Sequence, residues 1–287
     1  MSHDPKPLII FSHGNSFPAS TYGVLFRSLR ARGFTVRAIE KLGHDPLYPV
    51  TSNWPHLVQQ LADFAAEQSD KHQQPVYLVG HSLGGFLSLM AACRHPRLGA
   101  EPVQGVLLLD SPILGGWRAR ALALAKRAQL VGSISPGKIS RKRRRQWPDA
   151  AHALAHFAGK RAFAKWDPAV LNDYISHGFV PEDGQHVLAF DRDIETQIYN
   201  TLPHNLDSLL KRHPPQCPVS FIGGTTSSEM KQAGMGMTQK IVADSLKRHQ
   251  MGSISLIEGS HLFPMERPLE TTEAIELWLR SFPPVPD

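Results

Sequence analysis

A serine framed by glycines stands between an apolar run and a helical pattern. Residues 80–84 read GHSLG, a GxSxG pentapeptide that follows the apolar run 75–80 and precedes helical periodicity over 83–94. A tight strand-to-helix turn here would strain the backbone of Ser82 and expose its hydroxyl at the helix N-terminus. The flanking glycines leave room where neighbouring backbones approach, and the helix dipole favours developing negative charge. We therefore predict that Ser82 is a nucleophile.

A serine hydroxyl is a weak nucleophile near pH 7 and needs a general base. The chain has 15 histidines, so position must select among them. His261 follows the last apolar run, 254–257, in a loop that begins at Gly259, and a helical pattern starts near Pro268. Such a loop would lie beside Ser82 at the carboxyl edge of a parallel sheet. We predict that His261 accepts the proton of Ser82.

These two segments resemble the nucleophile and histidine motifs of the α/β-hydrolase family. The strand-turn-helix context of Ser82 carries the first motif, and the GSH of 259–261, followed by the ErPe-like run 266–270, carries the second. The order of serine before histidine also fits the family. The resemblance covers the whole predicted sheet and is weakest in its long insertion. It implies the hydrolase fold, a helical cap and serine-dependent hydrolysis.

The turn after the first apolar run, HGNS over 13–16, matches the position of the family's HGx turn. The resemblance implies that the backbone N–H of Asn15, or of Ser16, and that of Leu83 form the oxyanion hole. We expect His13 to brace this turn. The HGN variant is similar to haloalkane dehalogenases, but their nucleophile is Asp where this chain has Ser82, so we do not expect dehalogenation.

The carboxylate that orients His261 has two candidates. The family's usual acid follows the fifth strand, but there the chain reads GGTTSSE over 223–229, with Ser227 near the expected place. Glu229 comes two residues later and would serve if the loop bends. Asp110 ends the fourth apolar run, where a minority of the family carries the acid. Either strand end could orient the imidazole; we favour Asp110 and keep Glu229 as the alternative.

Short apolar runs alternate with longer helical patterns along the chain. This alternation predicts βαβ units and a mostly parallel, doubly wound α/β sheet of about six or more strands. The helical patterns cover about 20–32, 54–69, 83–94, 230–248 and 268–281. The apolar runs cover 7–12, 34–39, 75–80, 103–109, 217–222 and 254–257.

About 100 residues separate the fourth apolar run from the fifth, too many for a structureless loop. We predict a hydrolase core formed by 1–112 and 214–287, with a helical cap or lid at 113–213 inserted after the fourth strand. We expect the cap to have a small aromatic core of its own, formed by Trp117, Trp147, Phe157, Phe163 and Trp166. We expect four charged residues near its end to be exposed: Asp191, Arg192, Asp193 and Glu195.

The positive charge of the chain lies in the predicted cap. The 287 residues have a net charge of +6, whereas 111–214 hold 16 Lys and Arg against nine Asp and Glu, a net charge of +7. Five consecutive cations occupy 141–145. They have three possible roles: a solvated surface, a site for anionic acyl substrates such as CoA esters, or contact with anionic lipid or nucleic acid. No nucleic-acid motif accompanies them, so we do not expect a nucleic-acid partner.

Composition and cysteine usage favour a globular cytoplasmic protein. Hydrophobic residues make up 41 % and charged residues 20 %, which excludes a disordered chain. Cys93 and Cys217 fit no metal or disulfide pattern, and we expect them to be buried and reduced. We expect no signal peptide, no transmembrane segment, no metal and no organic cofactor, whereas the oligomeric state is left open.

The sequence therefore predicts a serine hydrolase that cleaves a carboxylic ester or related small acyl substrate through an acyl-enzyme. A thioesterase or a C–C bond hydrolase could use the same residues. A weakly catalytic ligand-binding protein on this fold is a further alternative, suggested by the missing Asp after the fifth strand.

Overall fold

The computed structural model describes residues 7–127 and 137–281, and a parallel β-sheet lies at its centre. The strand order is β10-β9-β5-β3-β1-β2, all parallel, with β4 antiparallel on β5. Each of the six predicted apolar runs forms one of the parallel strands, which confirms the predicted fold class. The strands are β1 (Leu8–Ser12), β2 (Thr35–Ala38), β3 (Val76–His81), β4 (Arg97–Leu98), β5 (Glu101–Leu109), β6 (Gln146–Trp147), β7 (Phe179–Glu182), β8 (Gln185–Leu188), β9 (Val219–Gly224) and β10 (Ile254–Ile257).

The helices cover both faces of this sheet. The predicted helix over 230–248 is two helices that meet near Gly234, whose φ of 75° no helix accommodates. The described helices are α1 (Gly23–Ala31), α2 (Pro55–His72), α3 (Leu83–Arg94), α4 (Gly116–Arg127), α5 (Gly137–Lys142), α6 (Ala150–Ala158), α7 (Pro168–His177), α8 (Arg192–Asn200), α9 (Leu206–Arg212), α10 (Ser228–Ala233), α11 (Gly236–His249), α12 (Phe263–Glu266) and α13 (Pro268–Arg280).

Alternating residues of the central strands β1, β3 and β5 enter two separate cores. In β1, Leu8 and Ile10 pack with α2, α3 and α11, whereas Ile9 and Phe11 pack with α1 and α13. Since both faces are covered, β1 and β3 are buried at every position. This is why the strands read as continuous apolar runs rather than as alternating patterns.

The segment 113–213, which we call the insertion, holds α4 to α9 and also a small antiparallel sheet of order β6-β8-β7. The helical patterns of the sequence predict only helices here. The local signal for the strands is the Asp183-Gly184 dipeptide between β7 and β8, where both residues have positive φ, 47° and 72°. Asp-Gly between two short extended segments is a strong indicator of a β-hairpin.

The aromatic residues of the insertion do not form a separate small core, which corrects the prediction. Trp147, Phe157 and Trp166 are buried in the same cluster as Ile9 and Phe11 of the sheet, and Phe163 packs against it. The side chain of Trp117 lies outside the described part of the structure. These aromatic residues thus extend the core on one face of the sheet, while Phe190 and Ile198 of the insertion belong to the core on the other face.

Within residues 7–127 and 137–281, no helix combines the length and the hydrophobicity needed to cross a bilayer.

The turn between β3 and α3 is tightly packed around its glycines. A Cβ atom on Gly84 would lie 1.9 Å from the carbonyl oxygen of Ser12, and one on Gly80 would lie 2.2 Å from that of Gly84. Both neighbours are backbone atoms that cannot rotate away. Glycine at position 84 lets the start of α3 approach the end of β1, and glycine at position 80 lets it fold back against β3.

We expect Gly84→Ala to destabilise the fold by about 1–3 kcal/mol or more, because backbone must move to admit the methyl group. Gly236→Ala is the matched control, since a Cβ there has no neighbour within 4 Å. Urea unfolding of both variants measures the difference. Equal stability of the two would contradict the close approach at the turn.

Candidate active site

The predicted nucleophile and base lie side by side at the carboxyl edge of the sheet. Ser82, between β3 and α3, has φ 54° and ψ −116°, the strained conformation expected for an exposed serine at this turn. Its Oγ lies 2.9 Å from Nε2 of His261, in the loop after β10. The Nδ1 of His261 lies 2.7 Å from Oδ2 of Asp110. Because a carboxylate only accepts, Nδ1–H donates to Asp110, which leaves Nε2 to accept the proton of Ser82.

Asp110 is the carboxylate that contacts His261. It directly follows β5, adopts a φ of 42°, and is completely buried. Three donors surround it: the Gly224 N–H at 2.7 Å from Oδ1, the Ser227 hydroxyl at 2.6 Å from Oδ2, and His261. A buried carboxylate needs such donors because it has lost its water.

Ser227 explains the departure from the family's usual acid position. It lies where the carboxylate was expected, and its hydroxyl supports Asp110 instead. The same oxygen accepts from the Met230 N–H at 3.2 Å and so caps α10. Glu229, the alternative acid, lines the cleft above Ser82, and its described hydrogen bond is with the Ser228 hydroxyl. The geometry therefore brings Asp110, and not Glu229, to His261.

The two predicted oxyanion donors flank the same site. Asn15 lies in the turn after β1 and lines the cleft, and Leu83 is the first residue of α3. Within the described part of the chain, neither backbone N–H has a hydrogen-bond acceptor. Unoccupied amides beside a nucleophile are what an oxyanion would require.

His13 braces the turn that carries Asn15. Its Nε2 accepts from the Leu42 N–H at 2.8 Å, and its Nδ1 donates to the Gly14 carbonyl at 2.8 Å. Complete burial lowers the pKa of His13 to about 4, so the imidazole is neutral near pH 7. This contact matches the bracing role expected of His13.

The cleft above Ser82 has a volume of about 230 Å³ and mixed walls. Phe17, Phe157 and Phe163 supply aromatic surface, and Arg143, Lys160 and Tyr199 supply polar groups. Of the basic run 141–145, only Arg143 lines the cleft; the other four residues are exposed.

Glu195 was expected to be exposed, and this expectation is wrong: its exposed fraction is 4 %. Its Oε1 accepts from the hydroxyls of Ser16, at 2.5 Å, and Ser140, at 2.8 Å. Its Oε2 forms a 3.2 Å ion pair with Arg143, and its backbone carbonyl accepts from the side chain of Asn15. Polar partners on both the insertion and the turn after β1 stabilise the buried carboxylate of Glu195. Because these partners are distant in sequence, no local sequence pattern predicts the burial.

The cysteines are buried and carry free thiols, as predicted. Burial raises the pKa of Cys93 and of Cys217 to about 12, so both are protonated near pH 7. Across 7–127 and 137–281, no three His, Cys, Asp or Glu side chains are grouped as a metal site would need.

Comparison with known proteins identifies the family. The sequence profile of the alpha/beta hydrolase family matches residues 9–274. The chain belongs to the α/β-hydrolase family. A solved peroxisomal α/β-hydrolase of Saccharomyces cerevisiae superposes with a TM-score of 0.71 at 16 % identity, covering 100 % of this chain and 81 % of that one. The solved E-2-(acetamidomethylene)succinate hydrolase has a TM-score of 0.65 at 20 % identity, covering 96 % and 92 %. These similarities show that the two structures share the fold of this α/β-hydrolase.

Curated relatives of this α/β-hydrolase include monoglyceride lipases. The monoglyceride lipase homolog of monkeypox virus is 26 % identical over 193 residues, which is 62 % of this chain and 62 % of the relative. The monoglyceride lipase of Rattus norvegicus is 29 % identical over 139 residues, 47 % of this chain and 45 % of the relative. The chain thus spans less than two thirds of the length of either relative.

We expect Asp110→Asn to lower kcat by about 10³–10⁴ without unfolding the protein, because an amide no longer holds His261 in the required tautomer. Glu229→Gln is the matched control and should stay within about threefold of wild type. Ester turnover and circular dichroism of both variants measure this. Near-wild-type turnover in Asp110→Asn, with loss in Glu229→Gln, would transfer the role to Glu229.

The buried His13 also predicts how stability depends on pH. The pKa of His13 is about 4 in the fold and about 6.5 in the unfolded chain. Between these values the unfolded chain binds a proton that the folded protein does not, so the free energy of unfolding falls as the pH falls. This one group contributes up to about 1.4 kcal/mol per pH unit. Urea unfolding at pH 7, 6 and 5 should give a shallower dependence for His13→Gln, and identical slopes would contradict the assignment.

Proposed function

We propose that this α/β-hydrolase cleaves a carboxylic ester or related acyl compound through a covalent intermediate on Ser82. The observation that carries the proposal is the continuous line of hydrogen bonds from Ser82 through His261 to Asp110, at 2.9 Å and 2.7 Å. A serine, an imidazole and a buried carboxylate in this order are what acyl transfer requires.

In the first half-reaction, Ser82 Oγ attacks the substrate carbonyl carbon as its proton passes to Nε2 of His261. The carbonyl oxygen becomes an oxyanion that the N–H groups of Asn15 and Leu83 stabilise. The carbon–oxygen bond to the leaving group then breaks, and His261 gives its proton to the departing alkoxide. Asp110 stabilises the imidazolium that exists between these two transfers.

In the second half-reaction, water takes the place of the alcohol. His261 removes a proton from the water as its oxygen attacks the acyl carbon. Collapse of the second tetrahedral intermediate releases the carboxylic acid, and the proton returns from His261 to Ser82. The two steps together consume the ester and one water molecule and release the alcohol and the carboxylic acid, so atoms and protons balance.

The mixed walls of the cleft favour an amphipathic ester. Three phenylalanines suit an apolar acyl chain, whereas Arg143, Lys160 and Tyr199 offer hydrogen bonds to a polar alcohol or headgroup. The names of the curated relatives make monoacylglycerols one substrate class to test. Four of the five cations at 141–145 lie outside the cleft, so any contribution they make to binding acts on groups beyond it.

A fluorophosphonate probe tests the nucleophile. We expect it to label the wild type and Ser88→Ala but not Ser82→Ala, because the Ser82 hydroxyl lies 2.9 Å from the imidazole Nε2 of His261. Ser88 is the matched control. It is a buried serine of α3, six residues after Ser82, and its side-chain hydroxyl has no hydrogen-bond partner among the described residues. Failure to label the wild type would favour a ligand-binding protein on a hydrolase fold.

The substrate class requires a separate series of acyl compounds. p-Nitrophenyl esters of increasing chain length, monoacylglycerols and CoA thioesters should give the highest kcat/KM for an uncharged ester, with an optimum in chain length set by the cleft. If CoA thioesters are preferred, and their KM rises steeply with salt while that of neutral esters does not, the basic run 141–145 recognises an anionic substrate.

A further inference from the structure

A second line of hydrogen bonds runs behind the proposed catalytic residues. The Gly14 N–H donates to the Tyr22 oxygen at 2.9 Å. The Tyr22 hydroxyl lies 2.7 Å from Nδ1 of His81, and Nε2 of His81 lies 2.8 Å from the backbone carbonyl of His261. Tyr22 and His81 are both buried, with exposed fractions of 2 % and 1 %.

Each member of this line can make its bonds in only one direction. The carbonyl of His261 has no proton, so Nε2 of His81 must donate to it, and Nδ1 must then accept in the neutral ring. The Tyr22 hydroxyl supplies that proton, and its oxygen is free to accept from Gly14. Burial lowers the pKa of His81 to about 3 and raises the pKa of Tyr22, so both groups remain neutral near pH 7. The tautomer of His81 is therefore fixed.

The line joins the three segments on which the proposed reaction depends. Gly14 precedes Asn15 in the turn after β1, His81 precedes Ser82 in the nucleophile turn, and His261 carries the base. The hydroxyl of Tyr22, the residue before α1, connects the first two segments through its hydrogen bonds with Gly14 and His81. None of the three hydrogen bonds reaches a reacting atom, so the line acts on geometry and not on the chemistry itself.

The packing at Gly14 is independent support. A Cβ atom on Gly14 would lie 3.0 Å from Nδ1 of His81 and 3.2 Å from the Tyr22 hydroxyl. The turn therefore approaches this polar pair so closely that a side chain would crowd it. Both ring nitrogens of His81 already have hydrogen-bond partners, so His81 has no free nitrogen with which to act as a second general base.

We propose that His81 and Tyr22 are positioning residues, which fix the backbone of His261 and the turn of Asn15 relative to Ser82. This inference rests on the proposed serine hydrolase activity. Misplacement of a catalytic group by about 1 Å costs on the order of 10² in rate. Loss of the line should therefore lower kcat, with little change in KM. His81 lines the cleft but is only 1 % exposed, and the aromatic and polar side chains proposed to bind the substrate are unchanged.

The test compares two substitutions at His81. In His81→Gln, the side-chain amide can still donate to His261 and accept from Tyr22, whereas His81→Leu can do neither. We expect His81→Leu to lower kcat about 10²-fold, with KM within threefold of the wild type. The kcat of His81→Gln should be at least tenfold higher than that of His81→Leu. Tyr22→Phe removes the central hydroxyl and should lower kcat by at least tenfold; it carries the test if His81→Leu does not fold.

A stability control separates positioning from general loosening of the fold. Ile275→Val removes one buried methyl group from α13, away from the site, and should lower Tm without changing kcat. All variants are assayed well below their Tm. The proposal is overturned if Tyr22→Phe and His81→Leu keep the wild-type kcat while their Tm falls, or if His81→Gln loses as much as His81→Leu.

Two further measurements distinguish this proposal from the proposed function. If the wild type neither turns over esters nor reacts with a fluorophosphonate, the hydrolase assignment fails. The tautomer can be tested without activity, since nitrogen NMR of the imidazole should find His81 protonated at Nε2 and not at Nδ1 near neutral pH. A proton on Nδ1 would contradict the direction of the line and overturn the inference.

Discussion

A carboxylate removed from water at the end of a central strand governs the arrangement of the site. Asp110 is fully buried, and its carboxyl oxygens accept hydrogen bonds from three different segments. Gly224 ends β9, Ser227 begins α10, and His261 lies in the loop after β10. Because burying a carboxyl group without hydrogen-bond donors is costly, the contacts to Asp110 favour the arrangement in which these three segments meet. The same requirement that satisfies Asp110 therefore brings His261 beside Ser82.

The insertion contributes to the site through a second buried carboxylate. Glu195 of α8 holds the side chains of Ser16 and Arg143, so the turn after β1 is tied to the wall of the cleft. Ser16 has a positive φ of 79°, and its contact with Glu195 stabilises that conformation. The cleft thus depends on long-range polar contacts as well as on the aromatic packing that joins the insertion to the sheet.

The predictable features are those that local physics determines. Buried parallel strands require continuous apolar runs, and the turn at Ser82 requires the glycines at 80 and 84, so both could be read from the sequence. Asp110 and Glu229 could not be separated, because the choice depends on which side chain reaches His261 across 151 residues of chain. Glu195 was misassigned for the same reason: its partners lie 55 and 179 residues away. The β7–β8 hairpin has a local signal, Asp183-Gly184, which the prediction of an all-helical insertion leaves out.

The proposed function requires Ser82 to carry an acyl group during turnover. This acyl-enzyme can be detected by rapid quenching of the wild type with a slowly hydrolysed p-nitrophenyl ester, followed by mass spectrometry of the proteolysed chain. We expect the mass of one acyl group to appear on the peptide that contains Ser82, and to disappear as the ester is consumed. Steady hydrolysis with no acylated peptide, or an acyl group on any other residue, would contradict it.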